Sequence, residues 1–254
     1  NFVDVPLQAL FSAAYTEIRR PLIDMQKASK EARPGDPHGM KPLKTPGVFR
    51  PGVGGTTTCV VADRWGNVVS ATPSANVPIE PRDGGRAGVT FGNRLRSLNT
   101  TPGHPNCIQP GKRPRITLTP TLVLKDGKPI MAISVAGGDL QDQVTLNLLL
   151  DVVEFDMLPE TAVTAARFAT AHHQDSFDPD PDRAQTFKAP GSLTLSDRVD
   201  DRVKEALSRR GHRLDVTTSP IGSPVMLSID QDSGVFRVAG DPEAHRHAAG
   251  LDGK

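Results

Sequence analysis

Residues 54–58 read Gly-Gly-Thr-Thr-Thr, three hydroxyl side chains directly behind two glycines. A threonine hydroxyl is a poor nucleophile until a base takes its proton. One base needs no second side chain: the threonine's own α-amino group, once that residue is the first of its chain. The arrangement requires a cut between Gly55 and Thr56. A glycine upstream of the cut tolerates the strained backbone through which a hydroxyl reaches the preceding carbonyl. The segment before the seam, "PGDPHGMKPLKTPGVFRPGVGG", is dense in Pro and Gly, so residues 34–55 read as an exposed linker where a cut does least damage. The same residues also fit a plain tight turn running into a strand with hydroxyls on it.

The elements around this seam are mostly β. Residues 57–62 and 67–72 read as two short strands about the turn "DRWGN". "TLVLKDGKPIMAISV" reads as a hairpin with Asp126-Gly127 at its tip, the pair that a type I′ turn favours. Residues 141–154 read as a helix apolar nearly all round, hence buried, and residues 159–168 as a helix with Pro at its first position. A polar excursion follows over 172–190, then an amphipathic helix over 198–210 closed by Gly211. Strands are expected at 213–217, 225–229 and 235–239. At the other end, Leu7, Leu10, Phe11, Ala14 and Ile18 recur at helical spacing, so residues 1–32 read as an amphipathic helical region. The mix predicts an α+β layered fold built on antiparallel sheets.

Composition removes several classes of function. With 30 Lys+Arg against 29 Asp+Glu, no overall field draws the chain to nucleic acid or an anionic membrane. Aromatics at 4% leave little for stacking single-stranded bases. No run approaches the ~18 apolar residues of a membrane span. Cys59 and Cys107 are too few for a disulfide framework and read as two free thiols, one on a buried strand, with a single bridge between them left open. The chain opens without an initiator Met, which leaves its compartment undecided between periplasmic or secreted and cytoplasmic. His172-His173 with Asp175, Asp178, Asp180 and Asp182 match no ligand spacing and read as a solvated insertion, so no metal is expected. "DQDSG" at 230–234 reads as a hairpin turn, and His245 and His247 as surface residues.

Longer stretches narrow the reading. "TTTCVVADRWGNVVSATPSAN" resembles the start of the small subunit of the γ-glutamyltransferase family, N-terminal-nucleophile hydrolases made as one self-cleaving precursor. The matching features are the Thr pair, Asp63-x-x-Gly66-Asn67, and Thr72, Ser74 and Asn76 after the second strand. "PGKRPRITLTPTLVLKDGKPIMAISVAGGDLQDQ" resembles a later block of that family, "AGDPEAHRHAAG" its ending, and "FVDVPLQALFSAAYTEIRRPLI" the close of its large subunit. The resemblance implies a four-layer αββα sandwich with two stacked antiparallel sheets. It divides the chain into the end of a large subunit (1–33), a linker ending at the cleavage site (34–55) and a small catalytic subunit (56–254). It makes Thr56 the nucleophile, Ser74 its hydrogen-bonding neighbour, and Gly137 and Gly138 the oxyanion hole, a role that suits amides at a helix entrance. The partners implied are the large subunit and a small amide substrate. No cofactor is implied.

The donor pocket departs from the family. Asn76 and Asn93 are kept, but Arg94 stands at a Gln, Ser97 at the Asp that binds the donor's amine, and Ile116 and Thr117 at two carboxylate-binding serines. Exchanging a carboxylate for a hydroxyl, with Arg94 and Arg96 nearby, disfavours an ammonium and favours an anion. The expected chemistry is therefore amide cleavage by hydrolysis or transfer. The acyl donor is γ-glutamyl or, alternatively, a carboxylate-bearing group without an α-amine (glutaryl- or oxamate-type). A non-catalytic relative that kept the scaffold for binding is the remaining alternative.

Overall fold

The computed structural model describes residues 5–31, 33, 35–42, 56–74, 94–176, 187 and 189–251. In chain order the elements are α1 (Leu7–Leu10), α2 (Ala13–Arg19), β1 (Gly35–Asp36), β2 (Lys41–Pro42), β3 (Cys59–Ala62), β4 (Val68–Ala71), β5 (Thr121–Lys125), β6 (Lys128–Ala136), α3 (Gln141–Val153), α4 (Pro159–Ala162), β7 (Phe168–Ala169), β8 (Ser192–Ser196), α5 (Asp201–Arg209), β9 (Arg213–Thr217), β10 (Ser223–Ile229) and β11 (Phe236–Gly240). Both helices and sheets are present, so the fold is α+β.

The central element is the β5–β6 hairpin. Asp126 and Gly127 at its tip have φ of 52° and 76°, the positive pair that a type I′ turn requires. β6 continues a four-stranded antiparallel sheet in the order β11-β10-β6-β5, with Ile133 opposite Met226 on one side and Thr121 on the other. Strand alternation sends Met131, Ile133 and Val135 to one face, where Val144 and Leu148 of α3 and Ala162 of α4 cover them. Burying side chains such as Ile133, Leu148 and Met226 contributes about 1.5–3 kcal/mol each.

The other face of β6 carries Ala132, Ser134 and Ala136, all buried. These small side chains let the β3–β4 hairpin lie close against the sheet. The Ser134 hydroxyl donates to Ala71 O at 2.8 Å, which leaves it to accept from Thr72 Oγ1 at 2.8 Å. Ser70 Oγ donates to Ile133 O at 2.6 Å. The turn of the hairpin is fixed by Asp63, whose carboxylate accepts from the Trp65 and Asn67 backbone amides and from Asn67 Nδ2. The side-chain bond from Asn67 leads the contacts that hold the Asp63 carboxyl below its ordinary range. The second sheet is mixed: β7 and β8 are antiparallel, but β8 and β9 run parallel, joined by α5 as a crossover.

Several expectations change. The apolar stripe of residues 1–32 is not one buried helix. Ser12 caps a new helix by accepting Tyr15 N, a 3-10 turn with Pro21 ends it, and Phe11 is 82% exposed. α3 buries one face only, and Leu146, Leu150 and Val153 face outward. The helix expected over 159–168 stops at Ala162, because the Arg167 guanidinium takes the Val163 carbonyl that another helical turn would have used. Cys59 and Cys107 are both free thiols, and Cys59 is exposed rather than buried in its strand. Asp230 and the residues after it form the expected turn, and His245 and His247 are exposed.

The start of the polar excursion is not simply solvated. His172 Nε2 lies 3.0 Å from Glu31 O and its Nδ1 accepts from Gly191 N at 3.4 Å, the pattern of a neutral ring. Ala28 N donates to Arg210 O at 2.7 Å, so residues 28–31 are pinned across the β8–β9 end of the mixed sheet. Burial, ahead of Arg33 and His173, pushes the His172 pKa below 6.5 despite the Glu31 carbonyl. The unfolded chain therefore binds more protons in that window, and His172 contributes stability that is present above about pH 6.5 and lost as pH falls through its folded value. In urea titrations from pH 7.5 to 5, a His172→Gln variant is expected to show a shallower fall in stability than the wild type.

Candidate active site

Thr56 lies three residues before β3 and pairs with Ser74 in an antiparallel bridge that prolongs the β3–β4 register, and Thr57 N donates to Pro73 O at 2.9 Å. The two hydroxyls meet: Thr56 Oγ1 and Ser74 Oγ are 2.9 Å apart and half-buried. Since β4 is stitched to β6 at residues 70–72, Ser74 is held just beyond a rigid segment rather than on a free loop.

A 3-10 turn, Arg94–Ser97, brings a third group. Arg94 Nη2 donates to Ser74 Oγ at 2.8 Å, and Nη1 reaches toward Thr117 Oγ1 at 3.5 Å. In a 3-10 turn, side chains three apart eclipse, so Ser97 shares the face of Arg94. Ser97 is only 1% exposed, and its hydroxyl has no partner among the described residues. The turn is tied down by Asn106, which donates to Ser97 O, and by the Asn99 N to Asn106 O bond of 3.0 Å. Thr117 is placed by Gln141, the first residue of α3. With its amide nitrogen facing the carbonyls, Gln141 donates to Val135 O at 3.0 Å and Thr117 O at 3.2 Å.

Gly137 and Gly138 join the end of β6 to a 3-10 turn (Gly138–Leu140) that runs into α3. Gly138 has a φ of 61°, a left-handed conformation that glycine adopts without a Cβ penalty. Asp139 then accepts from the Ser176 amide and hydroxyl, which anchors this corner. A cavity of about 400 Å³ opens beside Thr117, lined also by Arg115, Asp142 and His172. A larger one of about 900 Å³ lies between residues 10–33 and the mixed sheet, and none of the site residues lines it.

The sequence profile of the gamma-glutamyltranspeptidase family matches residues 1–251. The chain belongs to that family. The glutathione hydrolase proenzyme of Bacillus subtilis strain 168 is 31% identical over 99% of this chain and 41% of the relative. The acylase ACY 1 proenzyme of Pseudomonas sp. strain SE83 is 26% identical over 96% of this chain and 39% of the relative. A solved form of the protein LmbA2991 superposes with a TM-score of 0.79 at 35% identity, covering 98% of this chain and 44% of that one. The chain thus spans about two fifths of the length of the curated relatives it matches.

Within this chain, the structure brings Thr56, Ser74, Arg94 and Thr117 into one hydrogen-bonded series, with Ser97 on the face of Arg94. Gly137 and Gly138 stand at the mouth of α3, joined to this group through Val135, Gln141 and Thr117. Gly55 and Asn76 lie outside the described residues. Among the described residues, no group of three or more His, Cys, Asp or Glu is placed to hold a metal ion. No helix among them is long and apolar enough to cross a membrane. Sequence reasoning missed the supporting roles: those of Ser70, Thr72 and Ser134, which stitch the hairpin down, and of Gln141, Asn99 and Asn106, which hold Thr117 and the Arg94–Ser97 turn. Gln141 sits in a polar helix start, Gln-Asp-Gln, so nothing in the sequence set it apart from its neighbours.

Proposed function

We propose that this chain is the catalytic part of a self-cleaving amidohydrolase. It is cut between Gly55 and Thr56, and it uses the new N-terminal threonine to break γ-glutamyl or related acyl amide bonds. The observation that carries this reading is the 2.9 Å contact between Thr56 Oγ1 and Ser74 Oγ at the head of the family's motif. The Thr56 hydroxyl attacks the amide carbonyl while its own amine takes the proton. The Gly137 and Gly138 amides stabilise the tetrahedral oxyanion. The proton passes to the departing amine, leaving an ester on Thr56 that water or an amino acceptor resolves. The upstream residues 1–33 act as the end of a large subunit, with residues 34–55 as the linker. The remainder of that subunit completes the four-layer sandwich over the exposed face of β3–β4 and forms a heterodimer with residues 56–254.

A second reading concerns the donor. Arg94 presents a guanidinium, and Ser97 a buried hydroxyl, on one face of the Arg94–Ser97 turn, at the positions where the resemblance puts a Gln and the amine-binding Asp. That exchange favours an acyl group ending in a carboxylate with no α-amine, as in a glutaryl amide. Intact mass and N-terminal sequencing of the purified protein test the first reading: a chain beginning at Thr56 is expected. An uncut chain in active material would sink it and favour a binding relative. Comparing γ-glutamyl with glutaryl anilides separates the donors, with at least tenfold preference for the glutaryl compound expected on the second reading.

A further inference from the structure

The Arg94 side chain is linked to Thr56 through one shared neighbour, Ser74. Its guanidinium is permanently charged and can only donate. Nη2 gives a proton to Ser74 Oγ at 2.8 Å, and that oxygen is 2.9 Å from Thr56 Oγ1. Ser74 has a single proton of its own. Hydrogen bonds polarise one another when each donor is itself an acceptor, so a serine that accepts from a cation is the stronger donor toward Thr56 Oγ1.

We infer that Arg94 is a positioning residue that sets the direction of hydrogen bonding at the nucleophile: Arg94 donates to Ser74, and Ser74 donates to Thr56 Oγ1. This rests on the reading of Thr56 as nucleophile. The consequence is chemical. The Thr56 proton is not spent on Ser74 and stays available to a base, and the oxygen it leaves faces a hydroxyl polarised by a cation. A neutral amide at position 94 could donate or accept and would not fix this direction. Thr117, held by Gln141, gives the guanidinium a second contact that fixes its angle. Because the chain of bonds involves only the protein, it works equally during self-cleavage, when no acyl donor is present.

The test is the first-order rate of self-cleavage of the full-length precursor, read by intact mass. Arg94→Gln and Arg94→Met are expected to slow it at least tenfold, and Arg94→Lys, which keeps a cationic donor, to recover most of the rate. In a Ser74→Ala background, the Arg94→Gln change is expected to have less than a twofold further effect, because its route to Thr56 is gone. Wild-type cleavage rates in the Arg94 variants, with only KM raised for carboxylate donors, would make Arg94 a substrate group alone and overturn the inference. So would Arg94→Lys as slow as Arg94→Met, or a full additional loss in the Ser74→Ala background. A wild-type precursor that stays uncut under all conditions overturns the nucleophile assignment and this inference with it.

Discussion

A Thr56→Ala precursor will remain a single chain and will lose amide turnover by roughly 10⁴- to 10⁶-fold, the scale seen when a covalent nucleophile is removed. The neighbouring threonines will not substitute. Alternation along the strand turns Thr57 to the opposite face, where it is exposed, while Thr56 and Thr58 share the inward side. Thr58 then lies two residues further along, about 6.5 Å away at a strand's rise, beyond reach of the same attack. Its hydroxyl is buried without a partner among the described residues and touches neither Ser74 nor Arg94. Thr56→Ser keeps a hydroxyl at the same place and should still be cut, more slowly. Gel analysis of the precursor over days, together with acyl-anilide turnover, checks both variants. Turnover by Thr56→Ala within tenfold of wild type would remove Thr56 from the mechanism.

Replacing Arg167 by Met should destabilise the fold by about 3–5 kcal/mol, without touching Thr56. Arg167 and Asp241 form an ion pair at 3.1 Å with side chains only 6% and 4% exposed. Both terminal nitrogens of the guanidinium reach Asp241 Oδ2, and the same group donates to Ile221 O and Val163 O. Removing the arginine leaves a buried carboxylate without its cation and two carbonyls without donors. Burial dominates the lowering of the Arg167 pKa, with the Asp241 charge opposing it. Arg167→Lys should recover only part of the loss, since one ammonium cannot span the carboxylate and both carbonyls. The double variant Arg167→Met/Asp241→Leu should be more stable than Arg167→Met alone, although Asp241 Oδ1 also accepts from Glu243 N and Ala244 N. Urea unfolding of the three variants is the measurement. A loss under 1 kcal/mol for Arg167→Met would show that the pair is not what ties the last strand to α4.

What could be read from the chain alone were the features whose cause is local. Asp126-Gly127 demands its turn wherever it stands, and the β10–β11 strands are two short apolar runs on either side of the turn at Asp230. Thr56 and Ser74 could be paired through the family resemblance, and the β3–β4 hairpin between them is what brings them together. Features built by distant partners were hidden. Arg167 and Asp241 are 74 residues apart, and an arginine beside a phenylalanine gives no hint that it will end a helix by capturing Val163 O. Ser70, Thr72 and Ser134 look like ordinary strand hydroxyls, and their role appears only once β4 lies on β6. The parallel β8–β9 pair was missed because β8, the five residues Ser192–Ser196 between a polar stretch and a helix, was not read as a strand at all. The N-terminal stripe misled for the opposite reason: its spacing was right, but the apolar face is left exposed by the described residues.

The first residues of most chains fray, because they have gained too few contacts to offset the freedom they lose. A chain end made at Thr56 would escape that rule. Its own bridge to Ser74 and the Thr57–Pro73 bond begin at its first two residues, and the strand they pair with is stitched to the sheet behind. Severing the backbone there would remove a tether without adding much motion, so the terminus would inherit the order of a strand interior.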